Sequence, residues 1–495
     1  MIRLRGLAAI VLLAGLAAAV VGGRGIGTAP ARAAVDTWVG GYEIGGRPVV
    51  LRVTLSRPGR PEGTAAIGIA ARPVAAALRR VRIRGAHIAL TLPNGTLLEG
   101  VRTGSRIAGT ARTRLGRGRF ELLRLRPSSA DELREAVGAY RLADGTVIAL
   151  VVGPSGTGLR LVDYHSGALR ELSQLSRDAF VGGPGVLSVW PVRLRIQLVR
   201  GSSGQVVALR RNGRQAARLP LVTEAAEFSN GDVRLAGKLV RPAGPDPLAA
   251  VVLVPGSVRA TRATYDLWGM FFASEGLAVL SYDKRGVGGS TGRYSESADE
   301  ANLRNLAGDA LAGVAWLQGR ADIDPRRIGL SGGSQAGLLI PLAASQSPAV
   351  AFATIQSGPA MSVGRQRAYS ALTRDGARIP PPTEAEIHAA LDGRPDDGFD
   401  PRPAIRSLRI PVLWQLGGVD KRVYTPENVA TLNAIASDGE RSFTVRVYPA
   451  GAHSLRETRH GLSSEELRSA GFVDGLFADL GAWLRSHRLA PQPTA

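Results

Sequence analysis

From about residue 225 onward the sequence alternates two kinds of segment, and this alternation narrows the fold more than any other feature of the chain. "AAVVLVPGS" and "LAVLSYD" are continuous apolar runs, as expected of strands buried on both faces of a parallel sheet. "TYDLWGMFFASEG" between them and "ADEANLRNLAGDALAGVAWLQG" after them carry apolar residues at helical spacing. The pattern repeats through "RIGLSG", "SQAGLLIPLAASQS", "AVAFATIQSG", "RIPVLWQLGG", "ENVATLNAIASDG" and "FTVRVYPAG", with a last helix expected from about 463 to 485. It predicts a doubly wound, mostly parallel α/β sheet over residues 225–488, opened by a hairpin in "FSNGDVRLAGKLVRP". Ligands in such sheets bind beyond the carboxyl ends of the strands, so chemistry should sit just after apolar runs.

The preceding part has a different period. Residues 36–130 break into short alternating runs such as "VVLRVTL" and "VRIRGAHIALTL", separated by Gly, Pro and Asn-Gly turns, which predicts an antiparallel sheet or small barrel. A second β-rich segment, 138–223, has its clearest hairpins in "YRLADGTVIALVV" and "VVALRRNGRQAARLPLV". In "LPNGTLL", Asn94-Gly95 is suited to the positive φ values of a tight turn. Neither segment holds a cluster of reactive side chains, and His87 and His165 stand alone as surface or packing residues.

At the N-terminus, Arg3 and Arg5 precede an uncharged run from Gly6 to Gly23, and Ala31 and Ala33 supply an A-x-A cleavage site. Residues 1–33 are therefore expected to be a Sec-type signal peptide for export to the periplasm or medium, with a short membrane anchor as the alternative. The chain has no cysteine, which excludes disulfides and thiol chemistry. The formal net charge of +21 is almost all arginine, with lysine only at 238, 284 and 421. The arginines are spread along the chain without a zinc, helix-turn-helix or aromatic-plus-basic motif, so no nucleic-acid partner is expected. Attraction to an anionic cell envelope is the electrostatic alternative. The sequence carries no signal for oligomeric state.

"RRIGLSGGSQAG", residues 326–337, offers two candidate nucleophiles. Gly329, Ser331 and Gly333 spell G-x-S-x-G, but a nucleophile elbow needs a strand, a sharp turn and then a helix. With Ser331 as nucleophile, two glycines would weaken the helix's first turn. With Ser334, "RIGLSG" is a full strand, Gly332 and Gly333 form the turn, and "QAGLLIPLAA" is a good helix. Ser334 is the better reading. A serine hydroxyl needs a base and a group that orients the base, expected here in the order Ser, Asp or Glu, His. Asp420 follows "IPVLWQLGGV" and His453 follows "FTVRVYPAGA", so both fall in loops at strand carboxyl ends. His388, His460 and His487 lie in helical or tail stretches, Asp396, Asp397 and Asp400 in a Pro/Gly-rich insertion, and Glu427 in the next helix. Two backbone N–H groups must face the developing oxyanion. The expected donors are Gln335, which follows the nucleophile, and Ser257, after the bend at Gly256.

As a set, "VVLVPGS", "SYDKRGVGGSTG", "DPRRIGLSGGSQAG", "IPVLWQLGGVDKRV" and "YPAGAH" resemble α/β-hydrolase fold serine hydrolases, in particular the exported esterase, prolyl-oligopeptidase-like and acyl-thioesterase-like members. The resemblance covers about 225–488. It implies structural roles for Asp283 and Arg285. Two positions depart from the group: Pro255 stands where a His usually precedes the oxyanion glycine, and Ala336 where a Gly usually follows the nucleophile by two. Neither removes a required N–H.

The expectation is an exported serine hydrolase that cleaves carboxylic esters through an acyl-enzyme, with Ser334, His453 and Asp420 as the triad and neither metal nor cofactor. Its substrate would be a small ester or peptide-like molecule, and residues 362–401 a candidate lid over the acyl pocket. Peptidase, acyltransferase and thioesterase activities are alternatives within the enzyme class. From another class, the alternative is a non-catalytic envelope-binding protein.

Overall fold

The computed structural model describes residues 35–492 apart from 57–61, 69–73, 154–155, 157, 245–246, 395 and 440. The expected signal peptide and its cleavage site lie outside the described residues.

The first β-rich segment is a nine-stranded antiparallel sheet, Val35–Ile44 to Gly116–Arg124. Its two edge strands, Ala76–Ala77 and Arg80–Arg84, are separated by only two residues. Leu78 N donates to Gly63 O and Arg79 N to Thr91 O, which curls one edge toward the other. Trp38, Leu51, Val53, Leu98, Ile107 and Phe120 fill the concave side. The register gathers arginines that the sequence keeps apart: Arg82, Ala89, Glu99, Thr110 and Arg119 share one row across the strands, and Arg80, Thr91, Leu97, Arg112 and Arg117 the next. All these arginines are exposed. At the Asn94-Gly95 turn only Gly95 takes a positive φ, +85°. Asn94 instead accepts from Thr96 N through its side chain, so this is not a two-residue tight turn.

The second segment closes into an eight-stranded barrel over Gly138–Arg218, where Tyr140, Arg141 and Leu142 pair with Arg218, Ala217 and Ala216. Tyr140, Leu150, Leu161, Phe180, Ile196 and Leu209 pack its interior, as eight strands leave just enough width for side chains.

The third unit begins at Leu221, four residues before the expected boundary, because the opening hairpin is longer than its central turn suggested. Its strands are β1 (Leu221–Asn230), β2 (Val233–Pro242), β3 (Leu248–Leu253), β4 (Ala278–Tyr282), β5 (Ile323–Gly333), β6 (Phe352–Gln356), β7 (Val412–Gly417) and β8 (Phe443–Tyr448). They form one sheet in the order β1-β2-β4-β3-β5-β6-β7-β8. Strand β2 is antiparallel to both neighbours, and the pairs from β4 to β8 are parallel. Strands β3, β4, β6 and β7 are almost wholly buried, which explains their largely apolar sequence, and β5 is buried along Ile328–Ser331. Helices Asp266–Ser274, Glu300–Gln318, Ala336–Gln346, Thr425–Ser437 and Leu476–Ser486 complete the α/β layers.

The last helix differs from expectation. It is two helices, Ser463–Glu466 and Leu476–Ser486. The intervening chain is drawn out to the barrel: Phe472 N donates to Gly167 O at 2.8 Å and Val186 N to Ser469 O at 2.9 Å. A Cβ at Gly471 would lie 2.2 Å from Gly167 O, so only glycine permits this approach.

Candidate active site

Strand β5 enters the site through Gly332 and Gly333, which still pair in parallel with Ile355 and Gln356. The two glycines therefore end the strand and do not form the turn, contrary to the sequence reading. They are small because neighbours press on them: a Cβ at 332 would lie 2.5 Å from Val254 O, and one at 333 would lie 3.1 Å from Gln356 O. The turn itself is Ser334, at φ +57°. Such a conformation costs a non-glycine residue about 1–3 kcal/mol and persists where the surroundings over-determine it. Here Ser334 N donates to Gln356 O at 2.9 Å, and Ser334 O accepts from Gly337 N at 2.8 Å. Helix Ala336–Gln346 follows at once, so its N-terminus faces the serine. The methyl of Ala336 fits because Gly332 lacks one; a Cβ there would come within 2.6 Å of it.

Ser331 is a different kind of serine. It is 2% exposed, and its hydroxyl accepts from Thr354 Oγ1 at 2.8 Å.

The loop after β8 brings His453 Nε2 to 3.0 Å from Ser334 Oγ. The loop after β7 brings Asp420 Oδ2 to 2.8 Å from His453 Nδ1. Asp420 is 3% exposed, and its other oxygen accepts from Arg422 N at 2.7 Å and Val423 N at 3.0 Å. Three residues 119 and 33 positions apart thus form one continuous hydrogen-bond relay. The insertion at 362–401 helps hold it: Tyr369, on helix Val363–Thr373, donates its hydroxyl to the Asp420 carbonyl at 2.7 Å.

The other candidates are engaged elsewhere. Asp396 and Asp400 pair with Arg402, and Glu427 pairs with Arg365 at 2.6 Å. His460 bonds Glu465, His487 bonds the Trp483 carbonyl, and His388, His87 and His165 are exposed. Asp283 braces Arg262 and the Gly289 amide, and Arg285 bonds Asp309 at 2.7 Å. Both therefore have structural partners, in keeping with the roles the resemblance implied.

Around the serine, Gln335 caps the helix and is 8% exposed. In the loop after β3, Gly256 N donates to the Tyr265 hydroxyl at 2.9 Å, so the Gly256 amide is engaged within its own bend. The Ser257 carbonyl accepts from the Tyr294 hydroxyl at 2.8 Å. Burial raises the Tyr265 phenol above its ordinary range, so it stays protonated. Sequence reasoning missed Tyr265 and Lys284. Lys284 is 1% exposed and donates from Nζ to Gly256 O at 2.7 Å and to Gln335 Oε1 at 3.0 Å.

Residues 264–479 match the prolyl oligopeptidase family. Two uncharacterized proteins from strains of Mycobacterium tuberculosis are each 44% identical to this chain over 75 residues, which is 15% of this chain. The chain spans about a quarter (24%) of the length of these curated relatives. Among solved structures, an esterase from Pyrococcus furiosus is similar at 18% identity and TM-score 0.40, over 54% of this chain and 91% of that one. A dienelactone hydrolase described as putative, from Klebsiella pneumoniae, is similar at 17% identity and TM-score 0.37, over 54% and 98%.

Proposed function

We propose that this α/β-hydrolase-fold serine hydrolase cleaves carboxylic esters through an acyl-enzyme formed on Ser334. The observation that carries the reading is the unbroken relay from Ser334 Oγ through His453 to Asp420, with the serine held at φ +57° on a strand-to-helix turn. His453 takes the hydroxyl proton as Ser334 attacks the carbonyl, then returns it to the leaving alkoxide. Asp420 fixes the tautomer with Nε2 unprotonated and stabilises the imidazolium. The amides of Gln335 and Ser257 receive the oxyanion. Water activated by the same histidine releases the acid.

The family match favours a second reading, a serine peptidase. The barrel ahead of the hydrolase unit packs its interior with its own side chains. A panel of p-nitrophenyl esters of increasing acyl length, run beside aminoacyl anilides, tests the choice. Ester turnover should exceed anilide turnover by at least about tenfold, beyond the difference between the leaving groups alone. Anilide turnover equal to or above ester turnover would establish the peptidase instead.

We also propose that the chain is exported and processed near Ala34. The support is the charged start, apolar run and A-x-A site of residues 1–33. Between 35 and 126, seventeen arginines face only five acidic residues, so the curled sheet should be drawn to anionic envelope lipids. Intact mass and fractionation in a bacterial host test both statements. The expected result is a mass starting near residue 34, in material that leaves the membrane fraction as salt rises, since screening weakens exposed charge contacts. A full-length mass that stays with the membrane at high salt would favour an anchor.

A further inference from the structure

Lys284 is a cation in an unusual place. It follows β4 directly, it is among the largest fully buried side chains, and among the described residues no carboxylate forms an ion pair with it. A buried ammonium is normally paired, because desolvation penalises the charge heavily. Its acceptors here are neutral, the Gly256 carbonyl and the Gln335 side chain, with the Tyr294 ring 5.6 Å away. Those two acceptors belong to the segments that carry Ser257 and Gln335, whose amides receive the oxyanion in the proposed mechanism.

The Gly256 carbonyl and the Ser257 N–H are the two ends of one trans peptide unit, so they point in opposite directions. A cation that grips the carbonyl therefore fixes the direction of the N–H, and it also polarises the amide into a stronger donor. The same ammonium holds Gln335 Oε1, which ties the loop after β3 to the residue that follows the nucleophile.

We propose that Lys284 is the positioning residue of the oxyanion hole: it sets the Gly256–Ser257 peptide against Gln335 and adds a buried positive charge behind the developing oxyanion. This rests on the reading of Ser334 as the nucleophile. Burial lowers the lysine to about 8, and Asp309 and Glu296 oppose that shift from farther away. The other titratable groups close to it are Tyr294 and Tyr265, with Arg259 stacked on the Tyr294 ring at 4.5 Å. The sign of the linkage separates two effects. A lysine lowered on folding makes the fold less stable while it is charged, and that penalty disappears as pH rises through about 8 toward 10.5. A positioning charge does the reverse to turnover, which should fall over the same rise.

The test compares Lys284→Met, Lys284→Arg and wild type for kcat and KM on p-nitrophenyl butyrate from pH 6 to 9.5, alongside thermal midpoints. Lys284→Met should lose about 10² to 10³ in kcat, the scale of one oxyanion donor, with KM within about threefold and the thermal midpoint equal or higher. Lys284→Arg, which keeps the charge, should recover part of kcat. Wild-type kcat should fall above about pH 8, and the Met variant should lack that fall. Near-normal kcat in the Met variant overturns the proposal. So does a loss of kcat that only tracks a lowered midpoint while wild-type kcat stays flat to pH 9.5. If Lys284→Met does not fold, the wild-type alkaline profile and Lys284→Arg decide. The underlying reading fails separately, if Ser334→Ala retains turnover.

Discussion

Replacing Ser334 with alanine should abolish labelling by a fluorophosphonate probe and lower ester turnover by roughly 10⁴ to 10⁶, the range seen when a triad serine is removed. Replacing Ser331 should leave labelling intact. The contrast follows from two environments only three residues apart. Ser331 Oγ lies in the strand, buried and bonded by Thr354, and among the described residues no histidine or carboxylate hydrogen-bonds it. Ser334 Oγ lies at the turn, 3.0 Å from His453 Nε2. Ser331→Ala carries a moderate stability risk, because it takes away the acceptor of the Thr354 hydroxyl proton, so labelling is read on folded protein. If Ser331→Ala stopped labelling while Ser334→Ala kept it, the nucleophile would be misassigned.

The grouping of Ser334, His453 and Asp420 was legible because each stands just past an apolar run, and a parallel sheet sends the ends of such runs to one rim. "RIGLSG", "IPVLWQLGG" and "FTVRVYPAG" became β5, β7 and β8, and their loops converge. The sheet order was not legible, nor was closure of the barrel, since Tyr140 finds Arg218 across 78 residues through pairing that no local pattern announces. The strand-turn-helix pattern around Ser334 reads Gly332 and Gly333 as the turn. Their actual constraint is the approach of Val254 O and Gln356 O, which exists only once three strands are side by side. Lys284 stands between Asp283 and Arg285 in "YDKRGVGG", where no local pattern announces a buried lysine. Its burial depends on Gly256 and Gln335, 28 and 51 residues away. The break in the last helix likewise comes from the barrel, through Gly167 and Phe472, and not from the helix's own residues.

Asp420→Asn should reduce turnover by about 10⁴ while leaving the fold and the site's shape intact. The size of the effect follows from which way the new amide must face. Asp420 Oδ1 accepts from the backbone amides of Arg422 and Val423, and those two N–H donors cannot accept anything in return. An asparagine must therefore keep its carbonyl oxygen on them and turn its NH₂ toward His453 Nδ1. Nδ1 can then only accept, so the ring proton moves to Nε2, the nitrogen that faces Ser334 at 3.0 Å. In that tautomer the histidine donates to the hydroxyl and cannot take its proton, so the base is lost although nothing has moved. The acidic rivals lack this coupling. Asp396 and Asp400 are engaged by Arg402 and Glu427 by Arg365, and Asp397 lies in the same insertion. Their asparagine or glutamine variants should stay within about tenfold of wild type, as expected where only a surface or half-buried pair is lost. Ester turnover for each variant, with circular dichroism to confirm folding, makes the comparison. Should Asp420→Asn run near the wild-type rate while one of the others collapses, the orienting carboxylate is that other residue, and Ser334 and His453 keep their roles.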